Sequence, residues 1–185
     1  YTTLLFTLIQ AIIAAVVLIL LPLAFIRYNN KPRLADRRNI VIYFISIGLA
    51  FLFIELAFIE KFTLILSQPL YAVAVTLCAF LIFSGLGSLY AQWRMTRATL
   101  AVMPSLLARS VSLIGGITLV YIIAFPYMTD YLMSMSEPVR IAAAIVLAAP
   151  LAFAMGMPFP LGLAGTRHND PQLMPWAWGI NGCAS

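Results

Sequence analysis

Apolar residues run along this chain in long blocks separated by short polar stretches, and the block lengths predict transmembrane helices. A helix crosses the hydrocarbon core with about 20 apolar residues, rising 1.5 Å per residue. Five blocks fit a span, at about 3–26, 40–59, 70–90, 106–125 and 139–155, and a sixth begins near 175 and is still running at Ser185. The fold class this predicts is all-α: a single transmembrane helical bundle with five full spans and the start of a sixth.

The breaks between blocks have local causes. Pro22 lies near the end of the first span, and Arg27 to Arg38 is a polar, basic loop. Phe62 to Gln68, after Glu60-Lys61, is apolar but short; it either continues the second helix or lies at the interface. Pro69 disfavours helix at Gln68, so the break belongs there. Trp93, Arg94 and Arg97 form an interfacial anchor after the third span. Ala98 to Arg109 reads as an interfacial helical turn leading into the fourth. Met128 to Pro138 reads as a loop holding Asp130 and Glu137. Gly156, Pro158 and Pro160 are expected to break the fifth helix, and Thr166 to Pro171 reads as a polar loop. The first block lacks a signal peptide's basic leader and cleavage site. A start at Tyr1 without methionine and an end inside an apolar block read as a fragment of a longer chain.

Composition sharpens the class. The 185 residues are 63% hydrophobic and 9% charged, whereas a soluble domain carries about a quarter charged residues. The net charge of +5 does not indicate nucleic acid, because the basic residues sit at the ends of apolar blocks. With the loop after the first span inside, nine Lys and Arg fall on inside segments and two, Lys61 and Arg140, fall outside. That bias places the chain start outside and loops 27–39, 91–109 and 156–174 in the cytoplasm. Cys78 and Cys183 have neither metal nor disulfide spacing, and nothing in the stretch implies a cofactor.

Few residues could carry chemistry. Glu55 lies within the second apolar block, on a helix face shared with Gly48, Phe51, Leu52, Phe58, Ile59 and Phe62. A carboxylate in hydrocarbon must be paired, hydrated or protonated. It is either a proton- or cation-binding group or a hydrogen-bonded packing group, with Tyr71, Tyr121 and Arg140 as partners by depth. Glu60-Lys61 reads as an interfacial charge pair. Ser84, Gly85, Gly87 and Ser88 lack the spacing of a nucleotide loop and instead predict close helix approach, as do Gly115 and Gly116. Arg109 is expected to snorkel to the inner interface. Asn181, between Gly179 and Gly182, would bond across helices. His168, the single histidine, has no second ligand nearby in sequence.

Four pieces then occur in order: Phe53-Ile-Glu55-Leu-Ala-Phe-Ile-Glu60-Lys61-Phe62, Phe83-Ser-Gly-Leu-Gly-Ser88, Gly156-Met-Pro-Phe-Pro-Leu-Gly162 and Trp176-Ala-Trp-Gly-Ile-Asn181-Gly182. Together they resemble the C-terminal membrane region of the bacterial multi-pass spermidine-synthase-like proteins, from about Ile40 onward. The chain departs from that pattern in having Glu60-Lys61 where Gln-Arg is usual, which leaves Glu55 as the matching acid. The resemblance implies a bacterial inner-membrane bundle joined to a Rossmann-like domain related to polyamine aminopropyltransferases. The glycine-rich loop and paired acids of that domain are not in this stretch, so no aminopropyl transfer is assigned to these residues. Two functions follow as expectations. One is a non-catalytic membrane module, an anchor or accessory subunit whose partners are the lipid bilayer and other membrane subunits or a missing soluble domain. The other is a carrier for a polyamine or other cation, using Glu55.

Overall fold

The computed structural model describes residues 34–97, 103–169 and 173–185. Its elements are the helices α1 (Leu34–Leu66), α2 (Pro69–Thr96), α3 (Met103–Met133), α4 (Glu137–Met155), α5 (Pro158–Asn169) and α6 (Met174–Ala184), with no strand among the described residues. Four stretches, Arg38–Leu66, Pro69–Thr96, Ser105–Met133 and Glu137–Thr166, are long and apolar enough to cross a bilayer. Their length and composition fit an integral membrane protein in contact with lipid. The sequence predicts five full spans and the structure describes four. The first, 3–26, lies outside the described residues, with Arg27, Lys31, Arg33 and Asp170. The side chains of Arg37, Arg167 and His168 lie outside them too.

Three expected boundaries are corrected. The second span does not end near 59: α1 continues to Leu66, because Glu60 and Lys61 are exposed on its surface and do not interrupt backbone hydrogen bonding. It stops at Ser67, whose φ is 58°, and at Gln68, held extended (φ −136°, ψ 113°) ahead of Pro69. The loop expected over 128–138 shrinks to a short turn. Asp130 is in α3, which passes through Pro126 and ends at Met133, and Glu137 begins α4. An acid in a first helical turn matches the positive end of the macrodipole.

The third correction concerns the two prolines after Gly156. The backbone does break there, but the prolines start a helix instead of ending one. The Gly156 N–H donates to the carbonyls of Ala152 and Phe153 (3.1 and 3.2 Å), and the Met157 N–H to that of Ala154 (3.2 Å), which tightens the last turn of α4. Pro158 then opens α5 and Pro160 sits in its first turn, where a missing N–H costs nothing because those donors have no intrahelical partner. The helix runs on to Asn169, so Thr166, expected in a loop, is helical and buried.

The described residues divide into two compact units, Phe53–Gly162 and a second formed by those up to Leu52 with those from Leu163 on. In Phe53–Gly162, α2 packs mainly on α4, and α3 also packs on α4. The α4 side of the seam is a stripe of small residues every fourth position: Ala144, Ala148 and Ala152 are fully buried, and Gly156 continues the row. On α2, Gly87 meets α4, and the small residues Ala72, Thr76 and Ala79 are buried as well. The backbones touch at two places. A Cβ on Gly87 would overlap the Phe153 carbonyl, and one on Gly156 would overlap the Ser84 carbonyl. Lipid tails are as apolar as leucine, so helices in a bilayer associate through such shape-matched contact. In the other unit, α1 and α6 approach at Gly48, where a Cβ would lie 2.7 Å from the Ala184 Cβ and 3.0 Å from the Asn181 carbonyl oxygen.

Candidate functional site

Glu55 sits on α1 one turn before Phe58, the centre of an aromatic cluster. The Phe58 ring meets Phe62, Phe80, Tyr121 and Phe125 edge-on at centroid distances of 5.3 to 5.8 Å. Edge-to-face packing of this kind adds stability beyond the area buried. Phe62 and Phe80 are fully buried and Phe58 nearly so. The carboxylate is half-buried, with Phe53 and Leu56 exposed beside it. It makes no hydrogen bond or ion pair with another described residue. In a helix that starts its apolar span at Arg38 and ends at Leu66, Glu55 lies roughly 17 Å from the C-terminal end. The two turns beyond Ile59 therefore set it deeper in its helix than a span of 40–59 implies.

Two of the three expected partners of Glu55 are used elsewhere. The Arg140 guanidinium, from α4, donates through Nη1 to the Ile65 carbonyl at 3.0 Å and to Ser67 Oγ at 3.4 Å. Ile65 is in the last turn of α1, where carbonyls have no intrahelical donor and the macrodipole is negative. Arg140 is thus a C-terminal cap for α1. The Tyr121 hydroxyl donates to the Leu147 carbonyl of α4 at 2.6 Å. That carbonyl lies three residues before Pro150, next to the Val146 carbonyl that loses its intrahelical donor to the proline. Tyr71, the third, is exposed on α2.

The small residues singled out in sequence divide sharply. Gly87 and the Ser84 backbone are in the seam, whereas a Cβ on Gly85, Gly115 or Gly116 would meet nothing within 4 Å. Ser88 is half-buried. The alanine stripe at 144, 148 and 152 was not singled out, although its four-residue spacing running into Gly156 is a legible signal. The capping role of Arg140 had no such signal, since its acceptor is 75 residues away. Asn181 lies on α6 with its side-chain oxygen buried and without a hydrogen-bond partner among the described residues. Arg109, near the start of α3, is exposed at the edge of a cavity that also holds Arg94.

Among the described residues no three His, Cys, Asp or Glu side chains come together. Cys78 and Cys183 are free and exposed. What the arrangement supports chemically is helix packing, with the Glu55 carboxylate, unpartnered among the described residues, beside an aromatic cluster. Comparison with protein-family models, curated proteins and solved structures finds no match to this chain.

Proposed function

We propose that this chain is a non-catalytic membrane module of the spermidine-synthase-like kind, acting as an anchor or accessory part of a larger membrane assembly. The observation that carries this reading is the contact between Gly87 and Phe153 and between Gly156 and Ser84. Two of the four sequence pieces behind the resemblance, Phe83–Ser88 and Gly156–Gly162, meet there backbone to backbone. Their small residues and prolines are used for close approach and for starting a helix, which are structural tasks. On this reading the protein lies in a bacterial inner membrane, with the Arg94, Arg97 and Arg109 end of the bundle cytoplasmic, in line with the Lys and Arg bias. A reporter fused after Arg38 tests the orientation: activity on the external side overturns it.

A second reading has one observation in its favour. Glu55 is a carboxylate in a spanning helix with no partner among the described residues, and such groups are often functional. In a carrier it would bind a polyamine or another cation. Proteoliposomes holding the purified protein separate the two. The module reading expects spermidine, putrescine and proton fluxes equal to those of empty vesicles, in the wild type and in Glu55→Gln alike. Uptake by the wild type that disappears in Glu55→Gln replaces the module with a carrier.

A further inference from the structure

Within Phe53–Gly162 the ends of α2 and α3 and the α4–α5 junction enclose a cavity of about 320 Å³. Its rim carries Arg94 of α2 and Arg109 of α3. Its wall is apolar, built from Leu106 on α3 and from Phe153, Met157 and Leu161. The last three recur every fourth residue, so one face stays continuous across the Gly156 break. Met157 and Leu161 also form a buried cluster with Ala91.

The two arginines differ from the other described arginines of this unit. Arg140 caps α1, and Arg97 stacks over the Trp93 ring at 4.1 Å. Arg94 and Arg109 form no ion pair or side-chain hydrogen bond with a described residue, and no acidic side chain is among the described residues lining the cavity. Two guanidinium groups therefore sit above an apolar slot with no counter-charge among the described residues. The depth is marked independently: Tyr90 stacks on Trp93 with ring centroids 6.0 Å apart, one turn from Arg94 and Arg97. Aromatic and basic residues collect in this way at headgroup level.

We propose that this cavity binds an anionic phospholipid, its phosphate held between Arg94 and Arg109 and one acyl chain lying along Leu106, Phe153, Met157 and Leu161. The planar guanidinium matches phosphate geometry with paired N–H donors. Basic pockets between transmembrane helices recognise lipid headgroups by this combination of charge and apolar wall. A soluble anion would satisfy the arginines and leave the wall wet, whereas a lipid covers both. The inference does not depend on the module or carrier readings, since it concerns the opposite end of α2 from Pro69 and does not involve Glu55.

The test uses the purified protein in detergent, titrated with phosphatidylglycerol or phosphatidylcholine and read by native mass spectrometry. Phosphatidylglycerol is expected to bind in preference to phosphatidylcholine. The double variant Arg94→Gln/Arg109→Gln should bind it about 30-fold more weakly, and Lys61→Gln should bind it as the wild type does. Both arginines are exposed, so the double variant is expected to keep wild-type helicity by circular dichroism. A measurement on the unaltered protein stands beside it: phosphatidylglycerol should raise the thermal midpoint more than phosphatidylcholine does. Equal binding of the two lipids, undiminished binding by the double variant, or displacement of the lipid by millimolar inorganic phosphate would each overturn the proposal.

Discussion

Glu137–Thr166 and Ser105–Met133 are almost equal in length, 30 and 29 residues, and in the mean hydropathy of their most apolar stretches, 2.0 and 1.9. Yet in the most apolar stretch of each, 50% of the first is buried inside the chain and only 6% of the second. Hydropathy accounts for neither number. The first span carries Ala144, Ala148, Ala152 and Gly156 at four-residue spacing, so α2 can come close enough for backbones to touch. The second carries Leu119, Val120, Ile122 and Ile123, all exposed, along with Gly115 and Gly116 facing open space. In a bilayer both surfaces are equally content beside lipid. Pairing then goes to the helix whose small side chains allow the most van der Waals contact. Polarity decides which segments enter the membrane, and side-chain size decides which of them hold one another.

The comparison can be broken at the seam. Gly87→Ala and Gly156→Ala place a methyl group on a backbone carbonyl, which has no rotamer to move aside. Each should cost about 3 kcal/mol, seen as a lower unfolding midpoint in detergent. A loss no greater than that of an exposed glycine would show that the helices are not in contact there. Arg140→Ala removes the cap from the Ile65 carbonyl and should cost about 2 kcal/mol, as expected for a hydrogen bond from a charged group. Arg140→Lys should recover part of that loss. Tyr121→Phe deletes the bond to the Leu147 carbonyl, for about 0.6 kcal/mol, the average for such bonds between membrane helices. Gly115→Ala sharpens the contrast from the other side. With nothing near its Cβ, it should leave the midpoint unchanged or raise it, since alanine favours helix by about 1 kcal/mol. A marked loss at Gly115 would mean that this face of α3 is covered in the assembled protein.

Glycines 85 and 87 show how far sequence reading reaches. They share one short motif, Ser84 to Ser88, and a small-residue rule marks both. They are two positions apart, so a helix turns them about 200° from each other and only one can face α4. Which one does is set by the rotation of α2, which buries Gly87 together with Ala72, Thr76 and Ala79. The site around Glu55 was legible in the same partial way. A dry, aromatic face follows from helical spacing on α1 alone. The fate of Tyr121 and Arg140 does not, because their acceptors lie 26 and 75 residues away along the chain. Both acceptors are backbone carbonyls, that of Leu147 within α4 and that of Ile65 at the end of α1.

The sequence by itself determined the apolar blocks, the break at Gln68-Pro69, the interruption after Gly156, and the belt at Trp93, Arg94 and Arg97. Each depends on side chains within a few residues of one another: their transfer free energy, a proline ring, a missing Cβ. Only the tertiary structure decided that Gly87 and Gly156 lock α2 to α4, that Arg140 caps α1, and that Arg94 and Arg109 share one cavity. Those outcomes depend on helix rotation and on neighbours far along the chain. Where lipid and protein are alike in polarity, shape settles them, and shape is complete only when the helices are assembled.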